Sequence, residues 1–174
     1  MFFAGKVKQI LEKMSGDKAI MAIDNLLSPI FYSKPEILSK EEKNIVYIEE
    51  LEREVNNGGF SQFFFNSSGD YTEELIQALK IVGSTTFLEL VESAKAEFPN
   101  SYVPKNREER QGILRSIEAK ANPVWDTLDS EFYKYEEDIY TLMLAYISKN
   151  IRYFIGRNVR SKPGSKIITI PPRL

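Results

Sequence analysis

Apolar residues recur at helical spacing along most of the chain. Val7, Ile10, Leu11 and Met14 mark a short amphipathic helix from Lys6 that Ser15-Gly16 closes. Asp17 is placed to cap the next, whose apolar set Ile20, Met21, Ile23, Leu26, Leu27, Ile30 and Phe31 runs toward Pro35, with Pro29 permitting a kink or an early stop. Ser39-Lys40-Glu41-Glu42 is a capping box. It opens a helix carrying Ile45, Ile48, Leu51, Glu52 or Val55 inward and stopping at the Asn-Gly signal of Asn56-Asn57-Gly58. Asp70 at N-cap with Glu73 at N3 starts a helix through Leu75, Ile76, Leu79 and Val82 to Gly83, and Ser84 or Thr85 caps another that must end by Phe98-Pro99. Asn106-Arg107-Glu108-Glu109 repeats the cap pattern for a helix to about Ala121. Asn122-Pro123 is then expected to break it before a short helix around residues 124–132. A last long helix is expected from about Glu136 to Phe154. The pattern predicts a mainly α, single-domain bundle of about seven helices over residues 1–155, followed by a tail over 156–174 in which Ile167-Ile168-Thr169-Ile170 could form one short strand.

The segment Asn56 to Asp70 stands apart. Asn57 or Gly58 can take the left-handed conformation that ends a helix, Gly59 permits close backbone approach, and Phe60, Phe63, Phe64 and Phe65 supply large apolar area. Three consecutive phenylalanines cannot share one helical face, so at least one must find a different neighbour. Residues 60–65 are expected to form a short helical plug in the core. Asn56 and Gln62, flanked by apolar bulk, are expected to be satisfied buried amides.

Charge and absent residue types narrow the chemistry. Residues 1–148 hold 16 Lys+Arg and 25 Asp+Glu, a charge of -9; residues 149–174 hold 7 Lys+Arg and no acid, a charge of +7. The chain has no cysteine and no histidine, which removes disulfides, thiolate chemistry and the commonest general base and transition-metal ligand. No cofactor and no metal site is expected. No apolar run is long enough to span a bilayer, and Met1-Phe2-Phe3-Ala4 is followed by Gly5-Lys6 and not by an apolar stretch, so a cytoplasmic protein without a membrane partner is expected.

The chain resembles a family described as a domain of unknown function, whose best-known member is a bacterial DNA-mimic protein. The residues that carry the resemblance are Val55-Asn56-Asn57-Gly58-Gly59-Phe60, Gln62-Phe63-Phe64, Asn66-Ser67-Ser68-Gly69-Asp70-Tyr71, Phe98-Pro99, Val103-Pro104, Arg107-Glu108-Glu109-Arg110-Gln111 and Leu128-Asp129-Ser130-Glu131-Phe132-Tyr133. It covers roughly residues 20–150. It implies a non-enzymatic helical protein that binds another protein, of the DNA-binding kind, through an acidic DNA-like face. A homodimer is left open.

Candidate residues follow from both readings. Asn56, Asn57, Gly58, Gly59, Phe60, Gln62, Phe63, Phe64 and Asp70 are assigned to packing and turn formation. Helical acids three or four positions apart stand about 5–6 Å apart at Cβ, so Glu50 with Glu54 and Glu89 with Glu92 are candidates for an acidic face; a plain solvated surface explains them equally well. The first rival is a nucleic-acid-binding module using Arg157, Arg160, Lys162 and Lys166 of the tail against phosphates. The second is a hydrolase with paired carboxylates in a cleft. Against it, Glu42, Asp70, Glu73 and Glu109 are expected to cap helices, and Glu49 is expected to pair with Arg53. The basic tail is expected to lie on the acidic body, or on that of a second subunit, when no partner is present.

Overall fold

The structure, a computed structural model, describes residues 3–155; the tail with its expected strand and docking contact lies outside the described residues. Among the described residues the chain forms eight α-helices and no strand: α1 (Phe3–Lys13), α2 (Gly16–Ser33), α3 (Lys40–Phe65), α4 (Thr72–Val82), α5 (Thr86–Lys95), α6 (Arg107–Phe132), α7 (Ile139–Lys149) and α8 (Ile151–Ile155). The bundle is organised on α3, which packs against α2, α4 and α6. Its start is the expected capping box: Ser39 Oγ accepts from the Glu42 amide at 3.1 Å, and Glu42 Oε2 accepts from the Ser39 amide at 2.9 Å.

The Asn-Gly signal bends α3 without ending it. Gly59 takes φ 72°, ψ -174°, a conformation that disfavours any residue with a Cβ. A Cβ there would also collide with the Asp129 carboxylate, which accepts from the Phe60 amide at 2.9 Å. The bend turns Phe60, Phe63 and Phe64 into the core. Phe64 lies 4.9 Å from Phe98 and 5.4 Å from Trp125 between ring centroids, and Phe60 meets Phe132 edge-on at 6.2 Å. Phe65 is the ring that points elsewhere, and it is half exposed.

Arg110, fully buried on α6, ties this segment to the rest of the fold. Its guanidinium donates to the carbonyls of Phe64 (2.6 Å), Asn66 (2.8 Å), Pro104 (2.7 Å) and Lys105 (3.2 Å) and to Asp70 Oδ1 (2.6 Å). A buried guanidinium is tolerable only when its donors are used, and here they fasten the 3₁₀ turn Ser67–Tyr71 to the start of α6. Asp70 therefore does not cap α4. It sits within that turn as the counter-charge of Arg110, and Glu73 pairs with Lys95 of α5.

Three more expectations are corrected by packing. Pro123 does not break α6: Ala121 and Trp125 on either side of it are buried, Trp125 Nε1 donates to the Ala94 carbonyl at 3.0 Å, and exposure of Pro123 and Ala119 lets water serve the carbonyl that the proline cannot bond. The last helix is divided at Asn150, whose side chain donates to the Tyr146 carbonyl, and it begins at Asp138, which accepts from the Thr141 amide. Neither Ser84 nor Thr85 caps α5 with its side chain. Glu137, from the connection before α7, accepts from the Thr85 and Thr86 amides and from the Ser84 and Thr85 hydroxyls.

Candidate functional site

The sequence Glu49-Glu50-Leu51-Glu52-Arg53-Glu54 places four acids on two turns of α3, just before the bend. Because Ile48, Leu51 and Val55 must face the core, the acids on the neighbouring stripe are drawn under α2 and the α6–α7 connection and not left on the surface. Glu49, Glu50 and Glu52 are buried, as is Asp24 of α2.

Arg53 serves only part of this charge. Its guanidinium pairs with Glu50 and reaches Asp24 Oδ2 at 2.8 Å, so the expected Glu49–Arg53 pair is not formed. Asp24 Oδ1 also accepts from Ser28 Oγ at 2.5 Å. Glu52 Oε2 accepts from Tyr135 at 2.6 Å and Tyr140 at 3.0 Å, and Asn56 donates to the Tyr135 oxygen at 2.7 Å and to the Glu52 carbonyl at 2.8 Å. Among the described residues no donor reaches Glu49 Oε1 or Glu52 Oε1, although both atoms are buried.

These groups line an open cleft of about 440 Å³, shared by Asp24, Asn25, Glu49, Glu52, Asn56 and Tyr140 and edged by Met21, Arg53 and Asn57. Its electrostatics follow from burial and like charge. Desolvation, followed by the charges of Asp24 and Glu52, pushes the Glu49 carboxyl up to about 8. Burial also raises Asp24 and Glu52 above the usual carboxylate range. Tyr135 is pushed up to about 12 by burial and by its hydrogen bond to Glu52, so it stays a donor at neutral pH. The cleft is a set of acceptors holding more negative charge than Arg53 offsets. Among the described residues no group of three or more acids is arranged to hold a metal ion.

The structure distributes the sequence candidates unevenly. Glu50 is buried against Arg53, which takes it out of an exposed acidic face. Glu54 is half-buried and accepts from Gln62 (2.7 Å) and Asn66 (2.8 Å), so it braces the bend. Glu89 and Glu92 are exposed on α5, with Glu92 3.0 Å from Lys80. Gln62 is a satisfied, half-buried amide; Asn56 is also hydrogen-bonded but exposed, at the cleft. Gly58 and Gly59 form the bend, and Asn57 is exposed at the cleft edge. Arg157, Arg160, Lys162 and Lys166 lie outside the described residues. Asp24, Glu49 and Tyr140 escaped sequence reasoning. The available signal was Glu52, an acid at an inward position of an otherwise apolar stripe.

No helix among the described residues is long and apolar enough to cross a membrane. Comparison with curated proteins finds no match, and comparison with solved structures finds none. A family model described as DMP19-like protein matches residues 36–150, about two thirds of the chain and a span that includes the bend, Arg110 and the α3 acids. The chain belongs to the DMP19-like protein family, the DNA-mimic family to which its Asn56–Tyr71 motif points.

Proposed function

We propose that this protein is a non-enzymatic binding domain that offers an acidic, DNA-like face to a DNA-binding protein. The observation that carries the reading is the cleft beside the α3 bend, where Asp24, Glu49 and Glu52 converge and the nearby guanidinium is committed to Asp24 and Glu50. Asp129 of α6, bonded to the bend through the Phe60 amide, and Asp126 beside it add acid at the same bend. Carboxylates at such helical spacings lie on the scale of neighbouring backbone charges in a nucleic acid, and family membership supports that use of them. Glu54, Glu89 and Glu92 are candidates for extending the face.

The test is affinity capture from the native host followed by elution with duplex DNA. Retained proteins are expected to bind DNA themselves and to be released by the duplex and by raised salt. A retained set indifferent to both overturns the reading. Glu49, protonated near neutrality, beside Glu52 also favours a second reading, carboxylate acid–base hydrolysis. Turnover of an ester, phosphoester or glycoside that Glu49→Gln abolishes without lowering Tm would establish it, and inactivity on all three removes it.

A further inference from the structure

The cleft holds two acceptors that the fold leaves unused. Glu49 is 8% exposed and Glu52 6% exposed, and neither Oε1 atom has a donor among the described residues. Burying such an atom costs free energy unless a partner or a proton satisfies it; Glu49 alone meets the cost by holding a proton below about pH 8, and a cationic donor entering the cleft would displace that proton and satisfy both atoms. The donor must be cationic, because Asp24 adds a third carboxyl to the same cleft and Arg53 is turned toward Asp24 and Glu50. It must also have several N–H groups in a plane, since the acceptors belong to two carboxyls three positions apart on one helix, with the Asn25 and Asn56 amides at the cleft wall. The Tyr140 ring gives that plane an aromatic neighbour. An ammonium is a compact point charge and meets these demands less well than a guanidinium.

We infer that the cleft formed by Asp24, Glu49, Glu52 and Tyr140 is a receptor for a guanidinium group, filled in the complex by an arginine side chain of the protein partner. The inference rests on the acidic-face reading and gives it an anchor: an arginine that the partner would otherwise place on DNA enters this cleft. Tyr135 and Tyr140 hold Glu52 Oε2, which leaves Oε1 to the incoming group. Asn56, bonded to Tyr135 and to the Glu52 carbonyl, couples the cleft wall to the α3 bend.

The experiment titrates full-length protein with N-acetyl-arginine amide, and in parallel with N-acetyl-lysine amide, following amide chemical shifts at about pH 9, where Glu49 is ionised. Saturable shifts confined to the cleft residues are expected for the arginine probe, with an affinity roughly tenfold or more above that of the lysine probe. Glu49→Gln and Glu52→Gln should each weaken arginine binding by about tenfold, while Glu118→Gln, exposed on α6 away from the cleft, should leave it unchanged. Equal responses to the two probes, or shifts spread over the whole acidic surface, overturn the receptor. The captured partner separates this inference from the reading beneath it. If DNA-displaceable capture persists undiminished in Glu49→Gln and Glu52→Gln, the acidic face stands and the arginine anchor fails. If the cleft takes the arginine probe but no DNA-displaceable protein is captured, the cleft is a guanidinium site and the partner reading fails.

Discussion

Burial of Glu49 gives the fold a dependence on pH. Its carboxyl is raised from the ordinary value of 4.5 to about 8 by burial and by Asp24 and Glu52, so the folded state holds a proton that the unfolded chain releases. The contribution of Glu49 to stability is therefore fully present below about pH 4.5 and lost as pH rises through about 8. Asp24 and Glu52, also raised, act in the same direction. Glu49→Gln should leave stability almost unchanged at about pH 4 and exceed the wild type by up to about 5 kcal/mol at about pH 9, at 1.36 kcal/mol per unit of displacement. Denaturant unfolding at both pH values checks this, and parallel pH profiles for the two proteins would refute a perturbed Glu49. Little of this residue-level chemistry was legible beforehand. Helical spacing offers Arg53 to Glu49 one turn away, but Arg53 reaches Glu50 and Asp24, and no local pattern says that α2 brings an aspartate there. Glu52 was the exception, because an acid on an apolar stripe is visible in the sequence.

At the scale of elements, α3 works as two helices joined by a bend, and Gly59 is what makes the joint. Gly59→Ala meets two obstacles: a positive-φ, extended-ψ backbone essentially confined to glycine, costing about 1–3 kcal/mol for a residue with a Cβ, and the Asp129 carboxylate in the space the methyl needs. The expected loss is about 2–4 kcal/mol in denaturant unfolding, because displaced Asp129 also gives up the Phe60 amide. Gly59→Ala combined with Asp129→Ala should cost less than the two single losses added together, since the collision is then relieved; strict additivity would show that Asp129 is not the obstacle. A break here was legible from Asn-Asn-Gly-Gly before a run of phenylalanines, but as the end of a helix at Asn57 or Gly58, where the structure instead bends α3 at Gly59 and lets it run on to Phe65. Other elements were misjudged where a tertiary partner outweighs a local signal. Asp70 has the sequence context of a cap but answers the buried charge of Arg110, and Pro123 is carried through α6 by burial of Ala121 and Trp125. Glu137 caps a helix more than fifty residues away, which no local pattern can announce.

For the whole molecule the governing quantity is the separation of charge along the chain: acids dominate residues 1–148 and none follows, so any acidic face works against the attraction of its own basic end. Ending the chain after Phe154 leaves 18 Lys+Arg against 25 Asp+Glu, a net charge of -7 where the full chain carries -2. The shortened protein should bind a basic DNA-binding partner more tightly and with a steeper dependence on salt, because the competing cations are gone and screening over a Debye length of about 8 Å now acts on the partner alone. Titration of both forms with the captured partner at low and physiological salt measures this. Equal affinity at low salt would mean that residues 155–174 do not compete for the acidic face. The same pair of proteins decides the tail reading: if the full chain binds duplex DNA with a steep salt slope that the shortened chain lacks, Arg157, Arg160, Lys162 and Lys166 act on phosphate and the molecule is a nucleic-acid binder. If neither form binds DNA while both bind the partner, association runs through the acids, and the cleft beside the α3 bend is the first place where substitution should reduce it.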